Sequence, residues 1–452
     1  MDLITKFKEK NGFKYLSDSD TNRLSAYETF QQILDGEHQN AFDAGSKNVN
    51  PDRRKEIDEY IVANFGALIS RVNADFLFGE NAAFDLDTED EEARKKLSEI
   101  EKRSELAKNN WEAAYTASAW GDVVIKVRTI EDKAIIEYVN PQYYIPVFET
   151  DNVNMLKGVI LAWEKTIDDN KFLKVEIHEP QKITNQMWLL EGDVCVNQVD
   201  LSMFYENLPQ TVPTDTDKLL VKLIPNYSYT GRHFGISDYS DLISLFKAIN
   251  NRLSRAETAL NRYSDPILAL PSGVLDEEGK IKRGDNKVFE VLGGKAGGLL
   301  SPEYITWNGK LENAFKEVEL LSDLILTLSE TSKATLGDDK NGQAESGRAL
   351  KFKMIRTLSK IARKQRYFEE GLKYSLETAL TLEGVSEENI NVNITWNDGI
   401  PTDEREQAEL DEINIRSGRE SLESVIRSRM AGASKDEIDA ELKRLKNSET
   451  II

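Results

Sequence analysis

Cysteine and histidine are scarce in this chain of 452 residues, which contains one cysteine, Cys195, and three histidines, His38, His178 and His233. A single cysteine excludes an internal disulfide framework and every metal site built from several cysteines. The histidines lie far apart in the sequence, and none has a second metal-ligating residue at helical spacing. The sequence therefore predicts no metal site and no cofactor, and its cysteine usage favours a reducing compartment.

Long apolar segments are absent as well. No window contains the roughly 20 apolar residues that a membrane-spanning helix needs. Residues 1–10 lack the apolar core of a secretory signal peptide. We therefore expect synthesis in the cytosol and no membrane association.

Basic residues are outnumbered, because 58 Lys and Arg stand against 79 Asp and Glu, which gives a formal net charge of -21. General basicity is what lets a protein coat nucleic acid, and this chain does not have it. Any contact with DNA is therefore expected to be local or weak.

Recognisable catalytic motifs are also missing. The glycine cluster at residues 293–298 resembles a phosphate-binding loop, but Phe289 and Ala296 stand where that motif needs Gly and Ser or Thr. We interpret the cluster as a flexible loop that meets a partner. The paired acids at 338–339 and 387–388 have no companion base, and no nucleophile lies beside a base. The sequence predicts no catalytic residue.

Hydrophobic periodicity divides the first half of the chain into a helical part and a strand-rich part. Apolar residues at three- and four-residue steps predict helices over residues 19–34, 51–78 and 92–119. The acidic run 85–92 is interpreted as a solvated helix start, and residues 209–217 as a linker or surface loop. Short strands separated by short turns indicate an antiparallel sheet. The predicted strands cover residues 123–128, 134–139, 143–148, 157–165, 172–179 and 184–190.

Three long helices are predicted in the second half, over residues 237–263, 310–333 and 344–382. The first two bracket a compact β-type insert at residues 266–309, with strands at 267–270 and 287–292, which is the arrangement of a stalk with a head. The other predicted elements are strands over 219–225 and 390–396 and short charged helices over 401–447, broken at Ser417-Gly418 and Gly432-Ala433.

The third long helix carries eight basic residues between Arg348 and Arg366 and no acid. One interpretation is that these side chains pair with acids of neighbouring segments or subunits. The alternative is a surface that faces phosphates, where each neutralised phosphate adds salt-dependent affinity. The acidic composition of the chain favours the first interpretation.

Three short stretches, in order and with characteristic gaps, carry a family resemblance. The sequence resembles the portal proteins of tailed double-stranded DNA bacteriophages, most closely the siphophage type, over nearly its whole length. The stretches are Asn140-Pro141-Gln142-Tyr143-Tyr144, then Asn226 with Gly235-Ile236-Ser237-Asp238-Tyr239, and Ser346-Gly347-Arg348-Ala349-Leu350-Lys351-Phe352.

The resemblance implies an α+β, ring-forming portal fold. Its parts are a mixed wing domain, two long stem helices, a small β-type clip, a long wing helix and a helical crown. Carried onto this chain, they are the wing (1–236), stem helix 1 (237–263), the clip (264–309), stem helix 2 (310–334), the tunnel loop (335–345), the long helix with a wing strand (346–400) and the crown (401–452).

The resemblance also implies a function and a set of partners. Portal proteins form a homo-oligomeric ring of about twelve subunits, or about thirteen when free of the capsid. The ring would be the DNA channel at one capsid vertex, for genome packaging, motor docking, head-to-tail joining and DNA ejection. The expected partners are the terminase large subunit, the head-to-tail adaptor, the major capsid and scaffolding proteins, and the double-stranded DNA in the channel. The expected location is the portal vertex of the virion, after assembly in the host cytoplasm.

Three groups of candidate contact residues follow from the resemblance. The DNA-facing tunnel loop would contribute Lys333, Asp338, Asp339, Lys340 and Asn341. The clip would contact protein partners through Asp276, Glu277, Glu278, Lys280, Lys282, Arg283 and Lys295. The long helix would contact DNA or the neighbouring subunit through Arg348, Lys351, Lys353 and Arg356.

Two alternatives from other classes stay open. One is a DNA-packaging enzyme, either a nuclease or a nucleotide hydrolase, which would turn over DNA or ATP. The other is a helical scaffold protein that forms no ring and would sediment as one or two copies.

Overall fold

The computed structural model describes residues 8–9, 12–43, 59–80, 82–152, 155–263, 267–271, 288–291, 303–305, 311–337, 347–396, 404–429 and 435–449. The chain contains two compact units. The first consists of residues 1–31, 68–240 and 330–452, and the second of residues 32–67 and 241–329. The content of 51% helix and 23% strand confirms the predicted α+β class.

The helices of the described residues are α1 (Asp18–Leu34), α2 (His38–Asp43), α3 (Phe65–Phe78), α4 (Glu91–Arg103), α5 (Leu106–Trp120), α6 (Ile243–Tyr263), α7 (Leu311–Leu328), α8 (Gly347–Lys353), α9 (Ile355–Leu382), α10 (Glu404–Arg416), α11 (Leu422–Arg429) and α12 (Lys435–Glu449).

The strands of the described residues are β1 (Lys8–Glu9), β2 (Gly12–Lys14), β3 (Ala83–Leu86), β4 (Asp122–Ile130), β5 (Lys133–Val139), β6 (Tyr144–Phe148), β7 (Leu156–Ile167), β8 (Asn170–Glu179), β9 (Lys182–Glu191), β10 (Val194–Val199), β11 (Thr211–Pro213), β12 (Val221–Pro225), β13 (Ile267–Pro271), β14 (Val288–Val291), β15 (Glu303–Ile305) and β16 (Val392–Thr395).

The largest sheet of the first unit joins β1, β2, β10, β9, β8, β7 and β6 in that order, and β11 pairs with β9. Its pairs are antiparallel. The turn between β7 and β8 consists of Asp168 and Asp169, whose φ values of 47° and 62° are those of a two-residue hairpin turn with both residues left-handed. The predicted antiparallel strands are confirmed.

The linker prediction for residues 209–217 was wrong at β11. The backbone there pairs with β9, and Asn185 N donates to Gln210 O at 2.8 Å. The side-chain amide of Asn185 also donates to Pro209 O at 3.0 Å. These bonds satisfy backbone groups that a solvated loop would leave to water, so the segment becomes an edge strand despite its prolines.

A second sheet, in the order β12, β4, β5, forms the core of the first unit together with α5 and α9. A Cβ added at Gly371 in α9 would lie 2.4 Å from the side chain of Ile224 in β12. The glycine therefore lets the helix approach the strand closely. The buried side chains of this core include Leu106, Ile125, Val127, Ile136, Phe368, Leu372, Leu376 and Leu380.

A small sheet of β3 and β16 confirms the strand predicted near residue 390. The acidic run 85–92 begins inside β3 at Asp85, so its interpretation as a helix start was wrong for the first residues. Its second part is a helix start, because Oδ1 of Asp90 accepts from the backbone of Glu92 at 3.0 Å and of Ala93 at 3.2 Å. This is the bonding of an N-cap residue.

In the second unit the helix predicted over residues 51–78 begins only at Phe65. Ile61 N donates to Ser254 Oγ at 2.8 Å, and Ala63 N donates to Asn250 Oδ1 at 2.9 Å. The backbone of residues 59–64 is thus held by side chains of α6 instead of by a helix of its own. Residues 51–58 lie outside the described residues.

The second unit also contains α6 and α7, which pack against each other, and a three-stranded sheet. In that sheet β13 pairs parallel with β14 and antiparallel with β15. These pairings confirm the two strands predicted at 267–270 and 287–292. Nε of Arg252 in α6 lies 2.8 Å from Oε1 of Glu317 in α7.

Four predicted helices are shorter or broken. The helix predicted over 92–119 is interrupted where Glu105 has a φ of 48° and where Ser104 Oγ accepts from Ile136 N at 2.9 Å. The helix predicted to end at residue 333 ends at Leu328, before Glu330 with a φ of 55°. Periodicity does not detect such breaks, since the apolar stripe continues through them.

Two further helices differ from their predicted bounds. The helix predicted over 344–382 is interrupted at Met354, and Lys353 O accepts from Ser332 Oγ at 2.9 Å. The helix predicted over 237–263 begins at Ile243. In the C-terminal part, the break at Ser417-Gly418 is confirmed, with a φ of 69° at Gly418. Gly432-Ala433 lies outside the described residues.

Candidate functional site

The predicted contact residues fall partly outside the described residues. This holds for the loop residues Asp338, Asp339, Lys340 and Asn341 and for the clip residues Asp276, Glu277, Glu278, Lys280, Lys282, Arg283 and Lys295. The structure does describe the base of the loop, at Lys333, and the helix that follows it, with Lys351, Lys353 and Arg356. Arg348 belongs to α8.

The base of the predicted loop is fixed to the start of α9 by a hydroxyl network. Ser332 N donates to Thr357 Oγ1 at 2.9 Å, and Thr357 Oγ1 donates to Glu330 O at 2.8 Å. Ser332 Oγ donates to Lys353 O at 2.9 Å, and Ser332 begins the 3-10 helix Lys333–Leu336. The structure therefore brings two of the predicted residues, Lys333 and Lys353, to the same hydroxyl network.

The surface next to this network is basic and partly apolar. Lys351, Lys353 and Arg356 are exposed, and between them Phe352 and Ile355 expose 65% and 56% of their surface. Exposed large apolar side chains beside cations are unusual on an isolated protein surface and mark a contact area. The sequence revealed the cations but not the exposure of the two apolar residues.

Further along α9 two basic side chains, those of Lys360 and Lys364, are buried. Nζ of Lys360 lies 3.1 Å from Oδ1 of Asp238, and Nζ of Lys364 lies 2.5 Å from Oδ2 of the same carboxylate. Ser118 Oγ donates to Oδ2 at 2.6 Å and Asn73 Nδ2 donates to it at 3.0 Å. All five side chains are buried. We call these five residues the Asp238 cluster.

Opposing effects set the protonation of this cluster. Burial alone would raise the pKa of Asp238, but Lys360 and Lys364 hold that pKa at about 2. Burial lowers the pKa of Lys364 to about 7, although the neighbouring Asp238 carboxylate opposes that change. One buried carboxylate thus faces two buried lysine side chains. Removing the carboxylate or a lysine would leave the remaining buried charges unbalanced.

The cluster exists because residues 235–239 are docked onto the end of α5. Asp238 N donates to Ser118 O at 2.9 Å, and Gly235 N donates to Oδ1 of Asp122 at 2.6 Å. Tyr27 OH donates to the other oxygen of Asp122 at 2.6 Å. A Cβ at Gly235 would lie 2.0 Å from Gly121 O, so this approach requires glycine.

Burial also affects Asp122. It raises the pKa of this carboxyl from 3.8 to about 6, while Tyr27 and Gly235 oppose the change through their hydrogen bonds. Sequence reasoning missed both Asp122 and the role of Asp238. The sequence did contain a signal for each residue. Asp122 is a lone acid at the start of an apolar run, directly after Gly121, and Asp238 is a lone acid between Ser237 and Tyr239.

A third basic residue of the tract is also paired within the chain. Arg363 NH2 lies 2.9 Å and 2.8 Å from the two carboxylate oxygens of Glu330. The interpretation that the basic helix pairs with acids is therefore confirmed for Lys360, Arg363 and Lys364. It is not established for Arg348, Lys351, Lys353 and Arg356.

The scarce residues of the sequence have structural partners. His38 Nε2 lies 3.0 Å from Ile33 O, His178 Nε2 lies 3.3 Å from Glu176 Oε2, and His233 Nε2 lies 3.1 Å from Tyr144 OH. Cys195 is buried and unbridged.

Within the described ranges, no three His, Cys, Asp or Glu side chains are grouped so that they could hold a metal ion. No helix in the described part has both the length and the apolar character of a membrane span.

Comparison with known proteins gives one family match. The model of the family described as "Phage portal protein, SPP1 Gp6-like" matches residues 14–448. A solved structure described as "Virion of native gene transfer agent (GTA) particle" is similar with a TM-score of 0.41 and 12% sequence identity, over 79% of this chain and 86% of that chain. No curated protein matches.

Proposed function

Because the chain belongs to the SPP1 Gp6-like family of phage portal proteins, we propose that it forms the channel through which the genome enters and leaves the capsid. Family membership establishes a portal protein of the virion that is structural and not an enzyme. It also implies a homo-oligomeric ring associated with the capsid at the portal vertex. The family match argues against the alternatives of a packaging enzyme and of a scaffold without a ring.

The observation that carries the proposal is the family match over residues 14–448, which spans both compact units. We propose a ring of about twelve subunits, or about thirteen when assembled free of the capsid. The terminase large subunit, the head-to-tail adaptor and the major capsid and scaffolding proteins are its proposed partners. Assembly would take place in the host cytoplasm.

We propose the following assignment of the portal parts. The wing is residues 1–236, the two stem helices contain α6 and α7, and the clip is the insert between them. The long helix is α9, and the crown contains α10, α11 and α12. Under this assignment the clip residues from Asp276 to Lys295 contact the motor and the adaptor, because both charge signs and the glycine cluster suit a docking surface.

The basic residues at the start of α9 and those in its next turns support two different roles. At its N-terminal end Arg356, with Lys351 and Lys353 of α8, is exposed to solvent. Further along, Lys360 and Lys364 are buried on Asp238 and serve the fold. We propose that the exposed group, with Arg348, Lys333 and the loop residues 338–341, contacts phosphates.

Such contacts must be short-lived if DNA is to slide. Duplex DNA carries one negative charge per about 1.7 Å of its axis, and a fully basic channel would hold it. The net charge of -21 per chain means that the exposed cations proposed to contact phosphates are surrounded by an excess of acidic residues. The proposed channel therefore contacts DNA locally and releases it easily.

Imaging and mass measurement test the proposal directly. Negative-stain images of the purified protein should show rings with a central hole. Light scattering should give about twelve times the subunit mass of 51.2 kDa. A mass of one or two subunits at every protein concentration would overturn the proposed channel.

A further inference from the structure

The first unit contains a cavity with aromatic walls. It has a volume of about 610 Å³ and is lined by one face of α1, by residues at the end of α5 and by residues from 229 to 240. A volume of this size accommodates a small ligand or a short stretch of peptide. We call this space the aromatic cavity. Its aromatic side chains are Tyr27, Phe30, Trp120, Tyr229 and Phe234.

Two buried N–H donors at the aromatic cavity have no acceptor. Within the described part of the chain, neither Nε of Arg23 nor Nε1 of Trp120 forms a hydrogen bond, and both atoms are closed off from solvent. The Arg23 side chain exposes only 10% of its surface, and its NH1 and NH2 groups donate to Pro141 O at 3.1 Å and Tyr144 O at 3.0 Å. A buried donor without an acceptor costs free energy, and native proteins seldom contain one. We therefore expect an acceptor in the cavity that both residues line.

The two carboxylates that line the aromatic cavity are already occupied. Oδ1 of Asp20 accepts from Arg23 NH2 at 3.1 Å, and Oδ2 accepts from Ser17 Oγ at 2.6 Å. Both oxygens of Asp122 also accept hydrogen bonds within the chain. The site thus has donors to offer, while each carboxylate oxygen has a partner. It therefore selects a ligand that carries an acceptor and not a cation.

The formal charges at the aromatic cavity balance at neutral pH. Arg23 and Arg232 line it together with Asp20 and Asp122. His233, which also lines it, is neutral there because burial lowers its pKa. A further buried charge would have no counter-charge, so an acceptor on an uncharged ligand fits the site better than a carboxylate or a phosphate.

A smaller cavity adjoins the aromatic cavity. It has a volume of about 270 Å³ and is lined largely by apolar side chains of β6, β7 and β8. Asp20 and Phe234 line both cavities, so the two spaces are neighbours. An uncharged acceptor between two spaces for apolar groups is the chemistry of a peptide, whose backbone carbonyls accept hydrogen bonds while its side chains fill pockets.

We propose that the aromatic cavity binds a short, uncharged peptide segment of a different protein. Backbone carbonyls of the segment accept from Nε of Arg23 and Nε1 of Trp120. An aromatic side chain of the segment lies against Tyr229 and Phe234, and the next apolar side chain enters the smaller cavity. The partner is a different protein, because a site of balanced charge offers no attraction against the repulsion between copies that each carry a net charge of -21. The site does not depend on the proposed ring.

Calorimetric titration of the full-length protein with acetyl-phenylalanyl-leucine amide tests the site. This probe is uncharged and carries one aromatic and one aliphatic side chain, and it should bind with a Kd below about 1 mM. The same peptide with a free carboxylate at its C-terminus should bind no more tightly. Absence of binding by the amide, or tighter binding of the carboxylate, would overturn an uncharged peptide ligand.

The role of the unpaired donor is tested by Trp120→Phe, which removes Nε1 and keeps an aromatic ring. It should weaken binding of the amide by about tenfold. Trp111→Phe is the matched control, because Trp111 Nε1 already donates to Asp75 Oδ1 at 2.9 Å and Trp111 does not line the cavity. The control should bind like the wild type. Equal binding by the two variants would overturn the role of Trp120, and circular dichroism verifies that both are folded.

The aromatic wall is tested by Tyr229→Ala. Tyr229 is 63% exposed, so its truncation leaves the core intact. Loss of this ring should weaken binding of the amide by about fivefold. Unchanged binding in Tyr229→Ala would overturn the placement of the aromatic side chain against Tyr229.

Light scattering at saturating peptide identifies the source of the natural segment. An unchanged mass supports a different protein as the partner. A fall in mass would show that a segment of a second copy occupies the cavity and would overturn that assignment. Rings that bind no peptide would overturn this site but not the channel, whereas a protein that binds the peptide and forms no ring would overturn the channel but not this site.

Discussion

Nζ of Lys364 lies 2.5 Å from Oδ2 of Asp238 in a site where both side chains are closed off from solvent. Lys360 contacts the other carboxylate oxygen at 3.1 Å. The pair joins α9 to residues 235–239, so the helix is anchored in its second and third turns while its start stays exposed.

Replacement of Asp238 should be strongly destabilising. Asp238→Asn keeps the shape of the side chain but removes the carboxylate that two buried lysines share, which costs about 3–5 kcal/mol of unfolding free energy. Chemical denaturation followed by circular dichroism measures the change.

The matched control is Glu330→Gln. It removes the carboxylate that pairs with Arg363, whose side chain is about half exposed at 49%. An exposed pair of this kind contributes less than about 1 kcal/mol. Equal losses in the two variants would contradict the role of burial in the Asp238 cluster.

Asp122 should make the protein less stable as the pH rises from about 4 to about 6. Its pKa is 3.8 before folding and about 6 in the folded chain, so the folded state binds the proton more tightly across this window. Stability from this group is therefore present below pH 4 and is lost through pH 6, to an extent on the order of 3 kcal/mol.

Asp122→Asn isolates that effect, because the amide oxygen can still accept from Gly235 N. Denaturation midpoints of the wild type and the variant, measured at pH 4, 5, 6 and 7, should diverge in favour of the variant as the pH rises. A constant difference between the two proteins across this range would show that Asp122 does not titrate there.

Periodicity sufficed for the parts of the fold in which one face of an element is buried. The strands from β4 to β9 and the long helices were predicted because alternation and three- and four-residue steps directly reflect burial. The breaks at Glu105 and Met354 were not, since each is accompanied by a side-chain hydrogen bond between segments that are distant in the sequence. Ser104 and Ser332 supply such bonds, to Ile136 N and Lys353 O.

The buried charges show the same limit. Eight basic residues on one helix were visible in the sequence, and their pairing with acids was the favoured interpretation. Which acids they meet depends on the docking of residues 235–239 and on the path of the chain to Glu330. Asp238 looked like one acid among 79. Only its burial beside Lys360 and Lys364 separates it from the others.

Gly371 should not tolerate even a methyl group. Gly371→Ala places a Cβ 2.4 Å from the side chain of Ile224, and the overpacking should reduce stability by about 1–3 kcal/mol. The compensating variant Ile224→Ala removes the side-chain atoms in conflict and leaves a Cβ contact of 3.6 Å.

Denaturation of both single variants and of the double variant forms a complete cycle. Ile224→Ala alone loses burial, but in the double variant the added methyl group fills part of that space, so the two effects should not add. Additive losses would mean that α9 shifts away from β12 instead of clashing with it.

Arg356 should be needed for DNA to move through the ring and not for the ring to form. Its side chain is exposed in the first turn of α9, beside Ile355. Arg356→Glu places a ring of about twelve new negative charges where phosphates are proposed to pass. Packaged DNA per capsid should fall by about tenfold, while the ring mass by light scattering should be unchanged.

Lys171→Glu is the control for a general effect of added acid. Lys171 is 59% exposed at the β7–β8 hairpin and pairs with Glu164 at 3.6 Å. Both variants change the charge of the chain equally, so only position separates them. If they package equally well, the exposed start of α9 does not face DNA. If both fail equally, the net charge of the chain and not a local contact at Arg356 governs translocation.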